Sequence, residues 1–256
     1  MHTCPSNIAV YREDYCSNLL LDRHCHTYYE IIYVLKGSVN IDIEGQHILL
    51  VENSGIVIEP LRYQIISGND CVYHRLILSF YKEKIPTEIR DIFCNNIGHN
   101  FVFRSDSLTQ HCLKILQLHE EQNPVYQPLC DSIFTQLLYE LAFYDAPAEF
   151  VPQTRRTERL QQIIAYIDNH LQKDISLEDV ASYLGMSKSS VCHIFKDEMK
   201  TPLKQYILHK KIMYAKTLIQ QGISPGKAAQ ACGYKNYASF YKSYLKIAGQ
   251  VPCESK

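Results

Sequence analysis

Two stretches between Ser176 and Lys246 repeat one pattern of caps, small residues and glycines, and few folds accept it twice. Ser176 stands three residues before Asp179, a capping-box spacing that predicts a short helix over Leu177 to Leu184. Ala181 and Gly185 follow where two helices would cross closely and the chain would turn, glycine supplying a positive φ. Ser187 then caps a second helix with Val191, Ile194 and Phe195 on one side. The pattern returns with Ser224-Pro225 as cap and first-turn proline, Ala229 and Gly233 at the crossing and turn, and Asn236 as the next cap. Forty-nine residues separate Ser187 from Asn236, and Phe240 and Tyr244 repeat the places of Val191 and Phe195. The chain carries a duplicated helix-turn-helix.

Between the copies, Thr201-Pro202 and Gly222 bracket one long apolar-periodic helix running through Ile219. About 20 residues at 1.5 Å each reach roughly 30 Å, close to one turn of B-DNA. A single chain could then present two helices to successive major grooves. Charge agrees with this. From Gln153 onward there are 16 Lys+Arg against 8 Asp+Glu, a net +8, leaving 10 against 19, a net −9, in residues 1–152. That asymmetry suits a nucleic-acid module fused to an acidic partner domain.

The run ISLEDVASYLGMSKSSVCHIFKDEMKTPLKQYI, with SPGKAAQACGYKNYASFYKSYLK after it, resembles the AraC/XylS family of bacterial transcription regulators. The likeness spans nearly 80 residues, through both motifs and the helix joining them; the ending VPCESK departs from the family's usual tail. The outward face of the first recognition helix is Lys188, Ser189, Cys192, His193 and Lys196. The resemblance places base-reading positions at Ser189, Cys192 and His193, and in the second helix at Tyr237, Ala238, Tyr241 and Lys242. A serine hydroxyl meets several bases and a thiol makes apolar contact, as with a thymine methyl. Where the family commonly has arginine, His193 donates to guanine without a bidentate fork. Lys196 and Lys246 are expected to position the duplex through phosphates. The resemblance implies double-stranded promoter DNA as a partner, a small-molecule effector, a homodimer formed through a helix of the first half, and RNA polymerase as a further contact.

Residues 1–80 read as short strands: Ile8 to Arg12, His24 to Lys36, Val39 to Ile43, His47 to Val51, Ile56 to Ile58 and Val72 to Phe80, with Glu44-Gly45-Gln46 as a tight hairpin. Turn residues every 8–12 positions suggest a small barrel or jelly roll. His24-Cys-His26-Thr-Tyr-Tyr-Glu30, then six residues to Gly37, matches part of the cupin fingerprint. On one strand, His24, His26, Tyr28 and Glu30 would share a face, the lumen of a closed barrel. Two imidazoles and a carboxylate can hold a divalent metal. The second cupin motif lacks its histidine, however, since Pro60 is followed by Leu61, Arg62, Tyr63, Gln64 and Ile65. The favoured expectation is a small-molecule pocket without metal or cofactor. Tyr28 and Tyr63 would form a stacking wall and Arg62 an anion contact; a bound metal and a purely structural role are the alternatives.

Helices are expected within 85–97, from Leu108 to His119 and from Cys130 to Leu141. Aperiodic, proline-bearing sequence from Asp145 to Thr154 reads as a linker. The ten cysteines have no C-x-x-C pair and read as reduced thiols of a cytoplasmic protein, with Cys4, Cys16 or Cys25 as a redox alternative. The N-terminal residues do not read as a signal peptide, and no apolar run approaches a membrane span. The sequence thus predicts an α+β chain. Residues 1–145 form a cupin-like antiparallel β-barrel with flanking helices, 146–156 a linker, and 157–256 an all-α DNA-binding domain with two helix-turn-helix motifs joined by a long helix. The expected function is an effector-responsive regulator and not an enzyme. A constitutive DNA binder whose barrel only dimerises, and a metal-dependent cupin enzyme carrying a DNA module, are the alternatives. A sugar would suit a hydroxyl-binding pocket as effector.

Overall fold

A computed structural model of the chain describes residues 8–15, 19–20, 24–68, 72–97, 101–122, 124–145 and 157–253. The chain divides into two compact units, residues 1–154 and 155–256. The expected linker 146–156, Cys4 and Cys16 lie outside the described residues.

The first unit carries strands β1 (Ala9–Tyr15), β2 (Leu19–Leu20), β3 (Tyr29–Lys36), β4 (Ser38–Ile43), β5 (Gln46–Val51), β6 (Gly55–Ile58), β7 (Gln64–Gly68), β8 (Tyr73–Phe80) and β9 (Phe101–Phe103). They form two antiparallel sheets, ordered β1-β8-β3-β6-β9 and β2-β7-β4-β5. Period-two alternation sorts their side chains. Ile32, Val34, Ile41, Ile43, Ile56 and Ile66 meet between the sheets, filling the lumen with β-branched chains. Tyr29, Ile31, Tyr33, Leu76, Leu78 and Phe80 face the other way. There they pack on helices α1 (Arg90–Ile97), α2 (Asp106–Glu120) and α3 (Gln127–Ala142) through Phe93, Leu108, Ile115, Phe134 and Leu137. Each fully buried chain of this kind contributes about 1.5–3 kcal/mol. The result is the expected cupin-like barrel with flanking helices.

Several details differ. The strand expected from His24 begins only at Tyr29; His24 makes an isolated bridge to Gln64 instead. The sequence pattern does not mark β2, β7 or β9 as strands. The hairpin turn is Glu44-Gly45, with φ of 52° and 83°, and Gln46 already belongs to β5. Helix α1 starts at Arg90, after a turn rather than directly after Pro86.

The second unit holds α4 (Glu158–Asn169), α5 (Leu177–Leu184), α6 (Lys188–Met199), α7 (Leu203–Gln220), α8 (Pro225–Ala231) and α9 (Tyr237–Ala248). The capping box at Ser176 forms in both directions, Asp179 N donating to Ser176 Oγ at 3.1 Å and Ser176 N donating to Asp179 Oδ2 at 2.9 Å. Thr157, Ser187 and Asn236 also cap their helices. Ser224 makes no side-chain cap bond, and Pro225 opens α8 alone. Thr201 is likewise no cap: Pro202, extended at φ −62° and ψ 137°, is the residue before α7, so the long helix begins one position later than expected. Its 18 residues still span roughly 27 Å at 1.5 Å each.

Candidate functional site

At one end of the lumen, three polar side chains sit among isoleucines. Glu30 and Gln64 come from facing sheets, β3 and β7, and point inward at the same period as Ile32 and Ile66. His26 reaches them from the irregular segment before β3. Gln64 Nε2 lies 3.1 Å from both His26 Nε2 and Glu30 Oε2, and His26 Nε2 is 3.4 Å from Glu30 Oε2. His26 Nδ1 donates to the Tyr28 carbonyl at 2.7 Å, and the His26 ring stacks on Tyr28 at 4.3 Å and 2°. All four side chains are buried, Gln64 completely. Gln64 Oε1 is buried without a hydrogen-bond partner.

Convergence of His26, Tyr28 and Glu30 therefore occurs, but not because one strand carries them. The His24 ring lies 6.4 Å from that of His26. Tyr63 is buried, and the Arg62 guanidinium is bridged between Glu59 (2.8 and 3.1 Å) and Glu44 (3.1 Å), so Arg62 already faces carboxylates of the fold. Gln64 follows Pro60 by four residues, in the stretch where the second cupin motif would carry its histidine. The cupin fingerprint does not select it, although its offset after Pro60 is an available signal. Among the described residues no three His, Cys, Asp or Glu side chains are placed to share a metal ion.

Burial alone would raise the Glu30 carboxyl, but charge at His26, hydrogen bonds from His26 and Gln64, and charge at His24 hold it at about 2. A depressed carboxylate contributes stability that is complete above its ordinary value of 4.5 and is lost as pH falls toward 2. The melting-temperature gap between wild type and Glu30→Gln is therefore expected to be full at pH 6 and clearly smaller at pH 3. A gap independent of pH would remove the depressed carboxylate.

In the second unit, Val191, Phe195 and Met199 bury one face of α6. Lys188, Ser189, Cys192, His193 and Lys196 stand exposed on the other. Helix α9 repeats this, with Phe240 and Tyr244 buried and Tyr237, Ala238, Tyr241, Lys242 and Lys246 all exposed. Two of these groups already have protein partners. Lys188 pairs with Glu178, and His193 Nδ1 lies 2.9 Å from Asp197 Oδ2, an i,i+4 neighbour on the same outward face. Lys196 and Lys242 make no ion pair among the described residues.

The two turns that aim these helices are held differently. Gly185 has φ +61°, and nothing lies within 4 Å of where a Cβ would stand, so only its backbone conformation demands glycine. Gly233 has φ +76°, and a Cβ there would lie 2.7 Å from Asp174 N and Lys173 C. The segment after α4 thus presses on the second turn. Lys211 of α7 donates to the Lys173 carbonyl, and Gln172 Nε2 donates to Tyr214 Oη at 3.0 Å. Buried Lys210 reaches Asp168 of α4 at 2.9 Å and lies over the Tyr206 ring. The long helix is therefore clamped to α4, and α9 is aimed by packing as well as by its turn.

A double helix-turn-helix behind a cupin-like barrel has a counterpart among known proteins. Residues 7–138 match the profile of the AraC-like ligand binding domain, and residues 180–255 match a helix-turn-helix domain. The chain belongs to the AraC family. As an AraC-family protein it is a DNA-binding transcription regulator with a ligand-binding N-terminal domain. The probable transcriptional regulator LumQ of Photobacterium leiognathi is 25% identical over 236 residues, covering 90% of this chain and 89% of that one. The HTH-type regulator YdeC of Bacillus subtilis is 22% identical, covering 97% and 91%. The crystal structure of ToxT from Vibrio cholerae, solved with an unsaturated fatty acid bound, covers 98% of this chain and 95% of its own at 12% identity and a TM-score of 0.45. No helix among the described residues is long and apolar enough to cross a membrane.

Proposed function

We propose that this AraC-family regulator reads two successive major grooves with α6 and α9, and that an effector held at His24, His26, Tyr28, Glu30 and Tyr63 changes that reading. Ser189, Cys192 and His193 meet bases from the first helix, and Tyr237, Ala238, Tyr241 and Lys242 from the second, while Lys188 and Lys196 position the backbone. The observation that carries this reading is the exposure of all nine residues on helices whose opposite faces are buried. The effector is a hydroxyl-bearing small molecule of sugar-like polarity. Its hydroxyls donate to Glu30 and to the unpaired Gln64 Oε1, an acceptor otherwise left without a bond. Exposed Leu113 and Leu129, on α2 and α3, support a homodimer formed through these helices.

The test is a DNA titration with fragments from upstream of the protein's own gene, at several salt concentrations and with random competitor. Wild type is expected to survive competitor with a steep salt slope. Lys196→Ala should weaken binding on every sequence and reduce the slope by about 0.9 for its lost phosphate contact, whereas Lys242→Ala should weaken binding mainly to the preferred sequence and relax base preference. His26→Ala with Glu30→Ala should abolish the effector response while DNA affinity stays nearly unchanged. Equal weakness on every sequence, with or without candidate effectors, would refute sequence-specific recognition. Collapse of DNA affinity in the His26/Glu30 variant would make that cluster structural.

A further inference from the structure

The lumen has a second polar end, opposite in hydrogen-bond character to the first. Along β8, Tyr73, Arg75, Ile77 and Ser79 alternate with the helix-facing Leu76, Leu78 and Phe80, so Arg75 points to the lumen side. Strand β3 pairs Glu30 with Ser79 and Val34 with Arg75. Four residues at about 3.3 Å each separate the two ends by roughly 13 Å, and Ile32 and Ile77 fill the distance between.

Arg75 is buried at 3% exposure, an unusual place for a guanidinium. One of its edges is engaged. Arg75 Nε donates to Glu13 Oε2 at 2.7 Å, Nη2 donates to the same oxygen, and Nη2 lies 3.3 Å from Tyr15 Oη. The guanidinium carbon rests 5.4 Å from the Tyr15 ring centre and 5.9 Å from that of Tyr73. Its other edge is not engaged: Nη1, with two N–H donors, is buried without a hydrogen-bond partner. Beside it the Tyr73 hydroxyl is also buried and lacks a bond of good geometry. Burial raises the Tyr73 phenol to about 12 against the pull of Arg75, so it remains a donor at neutral pH.

An unmet buried donor is costly, and more so when it is charged. The guanidinium lies close enough to Tyr73 to help hold down the phenol's shift, but Arg75 Nη1 has no well-aligned partner and the Tyr73 proton no acceptor, while Glu13 locks the guanidinium in place. A charged N–H donor beside a phenol O–H matches a carboxylate, which accepts from both. The Glu13 side chain that pairs with Arg75 is 20% exposed, so this end of the sheet lies near solvent.

We propose that Arg75 and Tyr73 form a carboxylate-binding subsite in the barrel, with Arg75 Nη1 and Tyr73 Oη donating to a small organic acid. It is separate from the Glu30–Gln64 end and does not depend on the effector reading given there. Its consequence is that the barrel discriminates by charge: acids bind at Arg75, and the acceptor-rich end at Glu30 rejects them.

The experiment uses the full chain and sodium benzoate as probe, with sodium chloride at matched ionic strength as control, read by thermal shift and by titration calorimetry. Benzoate is expected to raise the melting temperature saturably, and chloride is not. Arg75→Lys, which keeps the charge and loses the fork, should weaken benzoate at least tenfold. Tyr73→Phe, which keeps the ring, should weaken it several-fold; if Arg75→Lys does not fold, Tyr73→Phe decides. Glu30→Gln should leave benzoate affinity unchanged. The proposal is overturned if benzoate and chloride act alike, if Tyr73→Phe binds as wild type does, or if Glu30→Gln rather than Arg75→Lys removes binding.

Discussion

Replacing Gly233 with alanine is expected to destabilise the second unit by about 2–5 kcal/mol and to remove DNA binding by α9 before that by α6. Two penalties add. A positive φ costs an L-residue roughly 1–2 kcal/mol, and a Cβ forced to within 2.7 Å of backbone that cannot swing aside adds about 1–3 kcal/mol of overpacking. Gly185→Ala is the internal control, because its φ is similar and nothing lies within 4 Å of the added carbon. It should lose only the conformational part, about 1–2 kcal/mol. Urea unfolding of the full chain, with hydrogen exchange resolved at α8 and α9, measures both. Equal losses in the two variants would mean that the segment at Lys173 and Asp174 does not press on the second turn.

The second large effect is expected at Gly55, where crowding acts alone. A Cβ on this β6 residue would fall 2.3 Å from Cζ of Phe103, the β9 residue paired with it. Phe103 is fully buried and stacks near Tyr33 at 6.4 Å, and Tyr33 Oη donates to Thr109 Oγ1 at 3.0 Å. Gly55→Ala must therefore displace a core ring that helps tie the sheet to α2. About 2–4 kcal/mol of the first unit's stability should disappear, within the range for overpacked or vacated aromatic sites. Adding Phe103→Leu to Gly55→Ala should recover part of the loss, since the smaller chain makes room. A strictly additive double variant would show that the two residues do not compete for the same space. DNA affinity of the folded protein should be unaffected by either change.

The helical half was legible because its signals are local. Ser176, Ser187 and Asn236 each cap within three residues, and Gly185 and Gly233 mark turns through their own backbone needs. The exposed faces of α6 and α9 followed from helical period alone. Legibility failed at Thr201, where threonine before proline looked like a cap; Pro202 instead stays extended and defers the helix by one residue. In the barrel the long, alternating strands were readable, but β7 and β9 were not. Gln64–Gly68 and Phe101–Phe103 are short, and pairing with distant β2, β4 and β6 makes them strands. Gln64 was missed as a partner of Glu30 for the same reason, being 34 positions away in the chain. Arg75 and Tyr73 were legible only as part of a strand. Their meeting with Glu13 and Tyr15 depends on antiparallel register, which one-dimensional spacing does not contain.

The pressure of Lys173 and Asp174 on the second turn also bears on how such a regulator diverges. If α6 and α9 read bases as proposed, preference can drift at the exposed Ser189, Cys192 or Lys242 one substitution at a time, whereas Tyr237 also packs on the buried Phe240 ring. The interval between the two reading helices has no such freedom, because it is fixed by a buried lysine, a long helix and a glycine that admits no larger residue. Descendants of this chain should therefore acquire new operators by changing letters within each half-site, while the distance between half-sites is inherited.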